Sequence, residues 1–224
     1  MASYQPRTFA VRLKKGNVKA TPIQNIPIQL AFNSKAFTPE NFGYTVSFDK
    51  KGNSFAAELI GNQVTCDNIP FNIGKHETKN VLKCKGDTIQ LPKEAAGKKL
   101  YILATSTDKD RQATFIVGDQ SYEFEVPYYS GFYGQWGHKG ISDGYIRNAT
   151  PAYIGSHRHT EKGNDTYIYT YMYKFGIELP KEAQTLILPK DDNIAVFAIT
   201  LSDNYLDDVS AANEMRALPL ETKK

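Results

Sequence analysis

The densest chemistry in this chain lies at His157-Arg158-His159. In an extended strand alternate side chains share a face, so His157 and His159 point the same way, the spacing of a two-histidine metal half-site. A bound metal needs at least a third protein ligand. Glu161 follows too closely to serve, no second histidine motif exists, and His76 and His138 are the only other histidines. The sequence therefore assigns no metal ligand. Both histidines read instead as polar contacts at a domain seam or in a ligand pocket.

Two aromatic segments could meet a sugar. Tyr128-Tyr129-Ser130-Gly131-Phe132-Tyr133-Gly134-Gln135-Trp136-Gly137-His138 is punctuated by glycine and holds the only tryptophan. Tyr133 and Trp136 would stack beneath a pyranose while Gln135 and His138 bond its edge; packing at the end of a sandwich is the alternative. The second segment runs from Asp165 to Phe175. As a strand it sets Tyr167, Tyr169, Tyr171, Tyr173 and Phe175 on one face, and Thr166, Ile168, Thr170, Met172 and Lys174 on the other. The ring face reads as core, seam or stacking platform, and the mixed face as the wet one. Gly163-Asn164-Asp165 supplies a tight turn ahead of it. Asn164 joins Tyr133, Trp136, His157 and His159 as a candidate carbohydrate-binding or seam residue, and Asn164-Asp165-Thr166 also fits a glycosylation acceptor.

Hydrolytic machinery is missing from the pattern. Glycosidic cleavage takes two carboxyl groups facing each other across the sugar. Here Glu123, Glu125, Asp143, Asp165, Asp191 and Asp192 are scattered over turns and wet strand faces. No phosphate-cradling GxxxxGK occurs, and no cysteine has a histidine partner with an orienting group. No catalytic residue is assigned.

The elements that position these residues are strands. Of 224 residues, 41% are hydrophobic and 12% aromatic, which suits a globular chain rather than a disordered or fibrous one. Its size permits burial of roughly 70% of the unfolded surface, so no metal or disulfide is needed to fold it. Ala113, Phe115 and Val117 form one apolar stripe, and Tyr122, Phe124 and Val126 a second, with Gly118-Asp119 between them: a hairpin. Phe9, Val11 and Leu13 alternate within Thr8–Leu13, and further strands are expected at 54–60, 79–84, 87–91, 98–106, 129–136, 150–157, 165–177 and 194–201. Helical periodicity is confined to a short stretch near Asp207–Arg216. The fold class is all-β, an antiparallel β-sandwich with little helix. Residues 1–35 read as strands ending an upstream β-domain, 36–204 as the sandwich and 205–224 as a polar tail. No apolar run approaches the ~20 residues that span a bilayer. A net charge of +3 without a basic cluster argues against nucleic acid. Cys66 and Cys84 match no zinc or redox spacing and read as buried thiols, with a disulfide between them as the alternative. The start carries no signal peptide and enters strand sequence abruptly, as expected of a piece of a longer protein.

An ordered set of stretches resembles the C-terminal region of bacterial glycoside hydrolase family 38 α-mannosidases. It comprises Tyr4-Gln5-Pro6-Arg7-Thr8-Phe9-Ala10-Val11, Ser54–Leu59, Ile69–Gly74, Asn80–Pro92, Leu100–Ser106, Gly134-Gln135-Trp136, His157-Arg158-His159-Thr160 and Ile194–Thr200. The set covers nearly the whole chain in colinear order. The resemblance implies a non-catalytic β-sandwich that packs against the catalytic domain and shapes one wall of the substrate cleft. An independent carbohydrate-binding module is the alternative. In that family zinc and the nucleophile belong to an N-terminal α/β domain absent here, so no cofactor is expected in this chain. The implied partners are that missing domain in cis and mannose-containing glycans, and the implied location is periplasmic or secreted. Gly137-His138-Lys139-Gly140 departs from the acidic, tryptophan-rich continuation usual after Gly-Gln-Trp.

Overall fold

The computed structural model describes residues 22–40, 46–135 and 145–204. The expected strand at Thr8–Leu13 and the helical stretch near Asp207–Arg216 lie outside them. Among the described residues sixteen strands follow in order. The first eight are β1 (Asn25–Ile28), β2 (Phe37–Thr38), β3 (Ser54–Ala56), β4 (Gln63–Cys66), β5 (Ile69–Asn72), β6 (Leu82–Lys83), β7 (Thr88–Gln90) and β8 (Lys99–Ser106). The rest are β9 (Arg111–Val117), β10 (Gln120–Val126), β11 (Gly134–Gln135), β12 (Tyr145–Ile146), β13 (Thr150–Thr160), β14 (Gly163–Glu178), β15 (Thr185–Ile187) and β16 (Ile194–Ser202). Helix among the described residues is limited to single 3-10 turns at Ala57–Leu59 and Lys93–Ala95.

The main sheet has the order β1-β16-β8-β14-β13-β3-β2, with β6 also paired to β16; a second sheet runs β10-β9-β15-β7. Pairing between these strands is antiparallel except for β2 with β3. The hairpin of β9 and β10 forms in the expected register, Val117 opposite Gln120, with Gly118 at φ 57 in the first central position of its turn. A type II′ turn demands that geometry, and glycine adopts it without steric cost.

The main sheet is buried on both faces. On one side Phe115, Val117 and Leu186 of the smaller sheet pack against Ile102, Tyr171, Tyr173 and Ile177. On the other side Phe37, Phe48, Phe55, Val64, Phe71, Tyr101, Met172 and Phe197 form an aromatic core. A strand buried on both faces reads as a near-continuous apolar run, and Ile-Ala-Val-Phe-Ala-Ile-Thr-Leu-Ser of β16 is such a run, buried throughout. Its register slips between Val196 and Ala198, a β-bulge. Phe197 and Ala198 consequently enter the aromatic core together, while Val196 and Ile199 join the other cluster.

Three sequence expectations change here. Residues 25–28, assigned to an upstream domain, are hydrogen-bonded into this sandwich, with Asn25 opposite Ser202 and Ile28 opposite Ile199. Thr166 is exposed, but from Thr170 onward the face of β14 expected to be wet is dry: Thr170 and Met172 are fully buried, and Lys174 is nearly so. Its ammonium pairs with Asp67 and lies 5.6 Å from the centre of the Tyr101 ring. Finally, the turn before β14 is Glu161-Lys162, because Thr160 pairs with Gly163; Asn164 and Asp165 are strand residues opposite His159 and Arg158.

Cys84 is buried and Cys66 half-buried, and the two are not joined to each other. At the start of β9, Arg111 holds Asp108 at 2.6 Å and Asp191 at 2.9 Å. The guanidinium hydrogen bonds pull the Asp108 carboxyl down to about 2. In the unfolded chain the same carboxyl titrates at about 3.9, so the stabilisation is complete above that value and vanishes as pH falls through about 4 to about 2. Both side chains are about a quarter exposed (25% and 27%), and solvent screening limits the contribution to ~1 kcal/mol. Arg111→Met is expected to cost this amount at about pH 6 and progressively less toward about pH 2. Urea unfolding across that range checks it, and a pH-independent difference would disprove the assignment.

Candidate functional site

The β3–β13 pairing brings a carboxylate onto the two histidines. Ser54 opposes His159 and Phe55 opposes Arg158. Beyond Ala56 the chain leaves extended geometry and turns through Ala57–Leu59, whose one acidic residue is Glu58. This turn replaces the longer strand expected at 54–60. Glu58 Oε1 lies 3.1 Å from His157 Nε2 and 2.9 Å from His159 Nε2. The two imidazoles stack, ring centres 5.4 Å apart and planes 29° from parallel. His157 Nδ1 lies 3.2 Å from Ser156 Oγ, which fixes the ring's orientation.

Burial grades across the cluster. The His159 side chain is 5% exposed, His157 15% and Glu58 28%, so one side of the carboxylate reaches solvent. Arg158, between the histidines, points away and bonds Asp165 through Nε at 2.8 Å and Nη2 at 2.7 Å. That pairing follows from the register, which sets Arg158 directly opposite Asp165. A carboxylate accepting from two imidazole N–H groups is a proton-sharing cluster, and the same three donors form a ligand set for a divalent cation.

The strand bearing the histidines is shaped on purpose at Gly155. A Cβ there would sit 2.5 Å from Thr170 Oγ1 and 2.7 Å from Tyr153 Oη, so only glycine fits. Burial raises the Tyr153 phenol to about 12, and the Glu58 charge adds to the rise. One step on, the single residue Ser156 lies opposite three residues, Tyr167, Ile168 and Tyr169. This bulge ends the continuous tyrosine face expected from alternation. Tyr171, Tyr173 and Phe175 enter the core, whereas Tyr167 is 79% exposed at φ 64 and Tyr169 is 38% exposed. A bulky residue at positive φ is uncommon, and bulges gather at places where a side chain must be re-aimed.

The remaining sequence candidates divide. Asn164 is exposed and opposite His159, beside the cluster. Tyr133 is half-buried; its hydroxyl donates to Ala149 O at 2.9 Å and its ring lies 6.0 Å from Tyr171, a packing role. Trp136 lies outside the described residues. Glu58 was not predicted. It stands 99 residues before His157 and 101 before His159, in a run read only as strand and as part of the resemblance, and no spacing rule links the two.

Residues 24–205 match the family described as the AziU2-like beta-sandwich domain, and no curated protein matches the chain. Neither comparison links it to family 38 mannosidases or to carbohydrate binding. The match spans most of the sequence and coincides with the strands that build the sandwich, from β1 to β16. The chain belongs to the AziU2-like β-sandwich domain family.

Proposed function

We propose that this sandwich is a non-catalytic accessory domain of an α-mannosidase-like glycoside hydrolase, and that the edge formed by β3, β13 and β14 faces the catalytic domain. The colinear sequence resemblance supports the parent activity. The observation carrying the choice of surface is Tyr167, 79% exposed at a positive φ, next to the residue that pairs with His157. A protein that holds a large ring outward in an uncommon backbone conformation places it where a partner covers it. A cleft of about 300 Å³ among the described residues lies between β1, β5 and β16, with Ile28, Leu30, Phe32, Phe197, Lys75 and Lys79 in its lining. The non-catalytic role rests on the resemblance, which puts the catalytic residues in another domain.

The purified chain is expected to release no nitrophenol from p-nitrophenyl α-mannoside, with or without added zinc. Turnover that survives repurification would overturn the accessory role. A second reading, an independent carbohydrate-binding module, is favoured by the same exposed Tyr167 and Tyr169, since aromatic faces stack on pyranose rings. Titration with mannose oligosaccharides separates the two. The accessory role predicts no saturable fluorescence change; a saturable change lost in Tyr167→Ala would establish the module instead.

A further inference from the structure

We propose that Glu58, His157 and His159 bind one divalent first-row transition ion, zinc by preference, with a coordination position left open to solvent. The ligand atoms Glu58 Oε1, His157 Nε2 and His159 Nε2 all lie within 4.8 Å of one another. Glu58 Oε1 stands 3.1 Å from one imidazole nitrogen and 2.9 Å from the other, and tetrahedral ligand edges around an ion with bonds of about 2.0–2.2 Å run about 3.3–3.6 Å, so the donors need part by only a few tenths of an ångström to admit one. Two imidazoles and one carboxylate are borderline donors that suit zinc, and suit calcium or magnesium poorly.

The surroundings agree with a built site. His159 is almost fully buried, on the strand position opposite Ser54. Ser156 Oγ contacts the other nitrogen of the His157 ring, the position from which metal-ligating histidines donate an orienting bond. Glu58 approaches from a separate segment, so that the three donors close a loop spanning 101 residues. Because Glu58 is the most exposed of the three, the fourth position faces solvent and takes a water or an oxygen donor from outside. This assignment stands on side-chain geometry alone and is independent of the parent enzyme's identity.

The test uses the full chain, stripped with chelator and dialysed, then titrated with zinc by calorimetry and with cobalt by visible spectroscopy. One equivalent of zinc is expected, together with a raised thermal unfolding midpoint and a cobalt spectrum showing nitrogen and oxygen ligation. Glu58→Gln and His159→Ala are expected to weaken zinc binding on the order of 100-fold and to abolish the thermal shift. Glu58→Gln keeps the size and a hydrogen-bond acceptor, so its circular dichroism and zinc-free unfolding midpoint monitor folding separately. No zinc uptake by the parent chain would overturn the proposal. So would uptake of undiminished affinity in Glu58→Gln or in a His157→Ala/His159→Ala double variant, which would place the ion elsewhere.

Discussion

Replacing Asp49 by alanine is expected to cost ~3–5 kcal/mol of unfolding free energy, a large share of what a domain of this size possesses. Asp49 is 3% exposed and serves as the acceptor for one corner of the aromatic core. Its Oδ1 takes the amides of Lys51 at 2.9 Å and Asn53 at 2.8 Å. Its Oδ2 takes Asn53 Nδ2 at 2.9 Å and the phenols of Tyr128 at 3.2 Å and Tyr129 at 3.0 Å. Removing the carboxylate strands these donors away from water, and each unsatisfied buried group costs about 1–3 kcal/mol before relaxation. Asn in its place retains one oxygen but presents an NH₂ group to donors on the other side, so Asp49→Asn is expected to fall between the two. Urea denaturation of both variants checks the order. A loss below ~1 kcal/mol for Asp49→Ala would mean that solvent reaches this corner and satisfies the tyrosines directly.

Much of the sandwich was legible because its signals are local. The β9–β10 hairpin needs only alternating apolar residues and a turn glycine, both contained within Ala113–Val126. The core strands β8 and β16 were located to within a residue or two by their apolar runs, bounded by prolines and polar turns. Alternation failed at β14, where it rests on an assumption of uninterrupted pleating and one buried face. Gly155 and the bulge opposite Ser156 break the first condition, and the aromatic layer over Thr170, Met172 and Lys174 breaks the second. Nothing within Asp165–Phe175 encodes either event; both depend on what the neighbouring strands do.

The site divides along the same line. His157 and His159 were legible as a pair because strand alternation is a local rule. Glu58 was not, because it reaches them through strand pairing and a 3-10 turn nearly a hundred residues upstream. Parent identity presents a different case. The family match fixes the sandwich over residues 24–205, while the mannosidase resemblance extends also to Tyr4–Val11 outside it. Both cover the sandwich strands and only the resemblance points to a parent enzyme, so the accessory role calls for the activity and oligosaccharide measurements rather than further comparison.

Phe55→Ala is expected to lower stability by ~3–5 kcal/mol and to loosen the Glu58–His157–His159 cluster at the same time. Phe55 is fully buried and central to the aromatic core. Its ring lies 5.0 Å from Tyr129, 5.4 Å from Phe48, 5.5 Å from Phe197, 5.8 Å from Phe37 and 6.2 Å from Tyr153. Truncation removes one partner from five aromatic contacts and leaves a cavity that these rings, drawn from five different segments, cannot all collapse to fill. The consequence for the cluster follows from position: Phe55 is the middle residue of a three-residue strand, and Glu58 lies three residues beyond it. A strand so short is held in register by this side chain together with the Ser54–Thr38 hydroxyl bond and its pairing with β2, so loss of the ring removes a large part of its anchorage. Amide hydrogen exchange at Ser54–Ala56 is therefore expected to accelerate in the variant more than exchange in β8 or β16, and zinc affinity is expected to fall even where the bulk of the sandwich stays folded. Phe55→Leu, which refills most of the volume, is expected to recover the greater part of both losses. If Phe55→Ala instead loses stability uniformly across all strands, β3 and the main sheet form one cooperative unit, and the cluster has no local weakness of its own.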